Sequence, residues 1–255
     1  MLVLHFDIND TITAFDKTDE ISHKEKCNII VARSVYGKVI DDEWVMNDDI
    51  YDEHESITFY DYIKGKDKDY KNTTSHFTEN NTYGKQLYQV IKPMLDKMNK
   101  SFLFESFTNL VEKLDDNVKI IFRTFGNDGD KVLENFKHKD VLSGYFDVDK
   151  LCLNNGVILH GLQEINEFIL LNKSHLFIQE DYHYWNNHGK DKLYGKQLMG
   201  SANFTQLFFD DNPCVHVVDN TNATFIKINT LQAMMDKDYY VNLIKKFLIS
   251  QVIKC

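Results

Sequence analysis

Apolar positions fall in compact blocks separated by longer amphipathic stretches. Leu2 to Phe6 is nearly all apolar, too continuous for a half-solvated strand, so it predicts a buried one. VKIIFRT (Val118 to Thr124), HLFIQ (175 to 179) and QLFFDD (Gln206 to Asp211) repeat that signature, and VHVVD and TFIKI are further strand candidates. LCL and VIL around Asn154-Asn155-Gly156 predict a hairpin, because Asn-Gly chemistry favours tight turns.

Helical spacing predicts helices between these blocks. Residues 16 to 35 read as one, with Asp16 or Thr18 as the N-cap. YGKQLYQVIKPMLDKM continues the pattern. In SFLFESFTNLVEKL, Phe104, Phe107, Leu110, Val111 and Leu114 recur at helical intervals. GNDGDKVLENF, GLQEINEFILL and DKDYYVNLIKKFLISQVI complete the set. Residues 41 to 82 lack clear periodicity and read as irregular insertion material. EDYHYWNNHGKDKLYGK reads as a polar, aromatic loop, with Tyr184 and Trp185 as packing or substrate walls. Buried strands alternating with helices predict an α/β fold with a mostly parallel sheet covered on both faces. The pentapeptide YGKQL occurs twice, from Tyr83 and from Tyr194, but its flanks differ, so no internal repeat is inferred.

The composition narrows the function. With 43% hydrophobic and 27% charged residues, the chain of 255 suits one sizeable domain, or a core with an insertion. A net charge of -10 speaks against broad binding to nucleic acid or anionic membrane, which want basic surfaces. No apolar run is long enough to span a bilayer, and no basic region precedes an apolar signal stretch, so a cytoplasmic location is expected. The four cysteines show no CxxC pair, which argues against a thiolate metal site. His183 and His188 are spaced for neither one helix face nor one strand face, so no second metal site is expected there.

Three buried strands end on polar residues: Asp7, Thr124 and the pair Asp210-Asp211. Ligands of open α/β sheets bind beyond the carboxyl ends of the strands, so these residues could meet. FDINDTIT, with Asp7, Asn9 and Thr11, resembles the first motif of the haloacid dehalogenase superfamily, Asp-x-Asp-x-Thr after an apolar strand. IIFRTFG resembles its second motif, Lys196 its third-motif lysine, and LFFDDN its acidic fourth motif. Lys190 and Lys192 are alternatives for the lysine.

That resemblance implies a Rossmann-like core (residues 1–15 and 101–255), a cap insertion over 16–100 that selects substrate, and a smaller second insertion at 140–172. It also implies a Mg²⁺-dependent phosphatase or phosphotransferase. Asp7 would be the nucleophile and a metal contact. Thr124 would donate to a phosphoryl oxygen, and Lys196 would offer a point charge. Asp210, Asp211 or both would anchor the metal. The substrate would be a phosphorylated small molecule or phosphoprotein.

Asn9 departs from the pattern. Its backbone carbonyl can still bind metal, but an amide has no titratable proton, so the family's general acid–base is missing. Such help is worth about 10²–10⁴-fold in rate. Acyl phosphates and phenols, being good leaving groups, lose least. Asp10 could compensate only if the chain leaves the extended conformation, in which its side chain points away from that of Asp7. The alternative reading is a catalytically impaired protein of the same fold that binds a phosphorylated ligand or a protein partner. A haloacid dehalogenase proper ranks third, because the paired Asp210 and Asp211 speak for a metal.

Overall fold

A computed structural model describes residues 1–15, 21–98, 102–126, 128–136, 140–147, 150–196, 205–212 and 223–252. The chain divides into two compact units, Met1–Asp19 with Leu110–Ile228, and Glu20–Asn109 with Asn229–Cys255.

The first unit is built on an eight-stranded sheet. β1 (Leu2–Asp7) lies between β5 (Val118–Thr124) and β10 (Thr205–Asp210), parallel to both. β11 (Ala223–Lys227) extends the sheet beyond β10, and β9 (His175–Gln179) pairs in parallel with β5. β6 (Val141–Asp147) is parallel to β9. From it, β7 (Lys150–Leu153) and β8 (Ile158–His160) add an antiparallel edge. Segment 140–172 therefore continues the main sheet instead of forming a separate insertion, because Val141 to Tyr145 pair with His175 to Gln179. Asn154-Asn155-Gly156 makes the expected turn, with Gly156 at φ +88°.

α7 (Gly129–Asn135) and α8 (Gly161–Leu171) belong to this unit. Ile165 and Ile169 of α8 pack with Val3, Ile121, Leu176 and Ile178 from three central strands. Burial on both faces is why those strands read as continuous apolar runs.

The second unit departs more from expectation. α1 (His23–Ser34) starts after Ser22, whose hydroxyl and backbone exchange hydrogen bonds with Glu25 in a capping box. The expected caps, Asp16 and Thr18, lie outside the described residues. Residues 41 to 82, expected to be irregular, carry several short regular elements among loops. β2 (Tyr36–Ile40) pairs with β3 (Glu43–Met46) and β4 (Ile57–Thr58) in a small antiparallel sheet. Asp41 and Asp42 both take positive φ, 49° and 65°, as a two-residue hairpin turn requires. Without a glycine there, the signal is hidden in an acidic run.

α2 (Phe59–Lys64), α3 (Tyr70–Thr73) and α4 (Ser75–Asn80) lead to α5 (Thr82–Met98), which packs with α4 on α1. α6 (Glu105–Lys113) spans the boundary between the units. The C-terminal segment, expected in the core, groups instead with residues 20–109. α10 (Thr230–Met235) packs on α1 and α5, and α11 (Tyr239–Val252) places Tyr240 edge-on to Phe107. VHVVD lies outside the described residues. No helix among the described residues is long and apolar enough to cross a membrane.

Candidate functional site

The strand order β10-β1-β5-β9 places four carboxyl ends side by side in the first unit. Phe6 pairs with Phe209, so Asp7 and Asp210 emerge at the next register position on neighbouring strands. Asp7 pairs with Arg123, and Thr124 follows. Two central strands of one sheet thus join residues some two hundred positions apart in the chain.

Lys196 completes the group. Its ammonium forms an ion pair with Asp7 and another with Asp210, at 2.8 Å, and the side chain is 2% exposed. Carboxylate oxygens of Asp7, Asp210 and Asp211 can lie within 4.8 Å of one another, the one group among the described residues with metal-ligand spacing. Oxygen-only donors of this kind suit a hard divalent cation. Asp210 also accepts from the backbone and side-chain N–H groups of Asn212, and the Asp211 N–H donates to Thr11 Oγ1.

Burial pushes the Asp7 carboxyl up to about 7, against the opposing pull of Lys196 and with help from Asp210. Burial also works against the Lys196 ammonium, but Asp210 and Asp7 together outweigh it and hold its pKa above the ordinary lysine value.

Asn9 is held from an unexpected quarter. Its Nδ2 donates to Asp128 Oδ2 across 3.2 Å. Asp128 is fully buried at the N-cap position of α7, yet its side chain caps nothing there. A Cβ on Gly126 would stand 3.0 Å from Asp128 Oδ2, 3.3 Å from Thr124 Oγ1 and 3.4 Å from Asn9 Nδ2, so three polar groups converge around a position that has no side chain. Sequence reasoning passed over Asp128 because an Asp before a helix normally reads as a cap.

Asp10 is buried at φ +57° in a turn where the Thr11, Ile12 and Thr13 amides all reach Ile8 O. The chain therefore leaves the extended conformation here, and the side-chain alternation argument does not apply to Asp10. Lys190 sits over the rings of Trp185 and Tyr182, at 5.5 and 5.9 Å. The side chain of Lys192 lies outside the described residues.

The polar aromatic stretch is not all loop. Asp181 caps α9 (Tyr182–Asn187) by accepting from the Tyr184 N–H at 2.8 Å. Trp185 stacks on Phe125, with centroids 4.6 Å apart and planes 10° from parallel. Beside them opens a cleft of about 460 Å³ lined by Phe125, Tyr145, Phe146, Glu180 and Tyr182 among others. His183 borders it, while His188 stacks on Tyr194 at 4.1 Å. Beneath runs a buried ion pair between Arg123 and Glu180, which no sequence pattern announced.

The fold and site define an α/β protein with a large, mostly parallel sheet flanked by helices and an acidic cluster with a buried lysine at its carboxyl edge. No protein-family model, curated protein or solved structure matches the chain.

Proposed function

We propose that the protein is a phosphohydrolase or phosphotransferase of the haloacid dehalogenase type, acting through an aspartyl-phosphate on Asp7. The observation that carries this reading is the lysine-bridged pair Asp7 and Asp210, with Asp211 beside it, at the ends of adjacent strands. An acidic group this dense repels a phosphate unless cations offset it, and Lys196 supplies one.

Asp7 would attack phosphorus as the bond to the leaving oxygen breaks. Lys196 would hold Asp7 in place and offer charge to the phosphoryl oxygens. Thr124 would donate its hydroxyl to the same group. Mg²⁺, held by Asp7, Asp210, Asp211 and the Asn9 carbonyl, would supply charge neutralisation when bound. Residues 16–100 would act as the cap, and a cytoplasmic setting would suit a phosphorylated metabolite or phosphoprotein.

A second reading keeps the fold and discards turnover: a site that binds a phosphorylated ligand or partner. Asn9 favours it, since its amide is engaged by Asp128 and carries no transferable proton.

The test is Mg²⁺-dependent phosphate release from p-nitrophenyl phosphate and acetyl phosphate by the wild type, Asp7→Asn and Asn9→Asp. Wild-type activity that disappears in Asp7→Asn supports the enzyme. Activity confined to Asn9→Asp moves the binding reading forward, and no release by any of the three counts against phosphatase chemistry.

A further inference from the structure

Beside the acidic cluster the first unit carries a cleft that the catalytic reading does not use. Its walls are tied to the site at three points. Phe125 follows Thr124 and lies 5.5 Å from the Lys196 ammonium. Glu180 donates its backbone N–H to Thr124 O at 2.7 Å, and its carboxylate feels the Lys196 charge. Gly195, next to Lys196, lines an adjoining small pocket together with Phe125, Phe146 and Glu180.

Four aromatic rings, Phe125, Tyr145, Phe146 and Tyr182, line this cleft. Tyr145 is 50% exposed and Tyr182 41% exposed, a cost in water contact that a core would avoid. The rim is polar and of mixed character, with Asp147, Asp181 and His183, and the Lys190 ammonium lies 5.9 Å from the Tyr182 ring.

Asn9 provides an independent constraint. A site without a proton donor at that position handles best a leaving group that departs as a stable anion. Phenols meet that condition, and their rings match the walls. We propose that the cleft is the leaving-group subsite for an aryl phosphomonoester, a phosphorylated phenol. The inference rests on the phosphohydrolase reading above.

In the first half-reaction a bond forms between an Asp7 oxygen and phosphorus as the phosphorus–oxygen bond to the ring breaks. The phenolate leaves with its electron pair and needs no proton from the protein. The ring stacks in the cleft, and Phe125 is held flat from behind by Trp185.

The experiment is calorimetric titration of the wild-type protein with Mg²⁺ present. The probes are inorganic phosphate, methylphosphonate, and benzylphosphonate, a non-hydrolysable isostere of phenyl phosphate. Benzylphosphonate is expected to bind about tenfold more tightly than methylphosphonate, the order of one added aromatic contact. Tyr145→Ala and Tyr182→Ala should erase that advantage while leaving phosphate affinity unchanged. Both side chains are exposed enough that truncation leaves the core intact.

Equal affinity for the two phosphonates overturns the aryl subsite but leaves the phosphate site standing. Failure of all three probes, phosphate included, overturns the phosphohydrolase reading itself. A peptide carrying phosphonomethyl-phenylalanine distinguishes the sources. Binding tighter than benzylphosphonate assigns the phenol to protein tyrosine, and weaker binding assigns it to a small molecule.

Discussion

The Asn9 side chain donates to the Asp128 carboxylate across 3.2 Å, which fixes the orientation of the amide. The NH₂ group faces that carboxyl oxygen, so Oδ1 faces elsewhere. That Oδ1 is buried and makes no hydrogen bond within the described residues. Asp128 is thereby a positioning residue for Asn9.

Asn9→Asp would set two carboxylates within hydrogen-bonding range, and like charges so close share a proton. The variant should gain a general acid, raising turnover of alkyl phosphates by about 10²–10⁴-fold. Its rate should fall at high pH as the shared proton is lost. Rates of alkyl phosphate hydrolysis equal to the wild type's would refute this account of Asn9.

Lys196 is ion-paired to two buried carboxylates, so removing it leaves both without their cation. Lys196→Met should cost roughly 3–5 kcal/mol in urea unfolding, the range for breaking a buried ion pair. Added Mg²⁺ should restore more stability to the variant than to the wild type, because it would replace the missing cation. If Mg²⁺ stabilises neither protein, the acidic cluster holds no divalent ion, and equal stabilisation of both would show that Lys196 does not stand in for one.

The Arg123–Glu180 pair lies under the cleft, with Arg123 fully buried and Glu180 nearly so. Burial pushes the Glu180 carboxyl up although Arg123 pulls it down. Glu180→Leu should destabilise by roughly 3–5 kcal/mol, since Arg123 keeps its charge without this partner. The double variant Arg123→Leu with Glu180→Leu should recover part of that loss. Chemical denaturation of the three proteins measures the coupling, and additive losses would contradict it.

His5 gives stability a pH dependence. Burial, with the nearby Arg123 charge, lowers its pKa from 6.5 to about 3. The folded state keeps the ring neutral while the unfolded chain takes up a proton below 6.5. Stability is therefore full above 6.5 and falls as pH drops toward 3, by at most about 1.4 kcal/mol per pH unit. Between pH 6.5 and about pH 5 the wild type should lose about 1 to 2 kcal/mol more than His5→Gln. Urea midpoints at the two pH values decide it, and parallel losses would count against the assignment.

Much of the first unit was legible because its strands are buried on both faces. LVLHF, VKIIFRT, HLFIQ and QLFFD carry runs that need no knowledge of their neighbours, and Asp7, Thr124 and Asp210 at the ends of three of them marked the sheet's carboxyl edge. The second unit was harder. Its small sheet is half solvated and turns on Asp41-Asp42, so no apolar run advertises it.

Tertiary structure alone decided the lysine and the placement of Asn9. YGKQL occurs twice, yet Lys85 is exposed on α5 while Lys196 is buried between two aspartates. Five identical residues carry no information about which charges will face them. The sequence by itself determined the strands and the acids at their ends, because burial on both faces is written in local composition. Which lysine joins those acids, and that Asp128 holds Asn9, depend on pairings between distant segments, which exist only once the sheet has closed the distance.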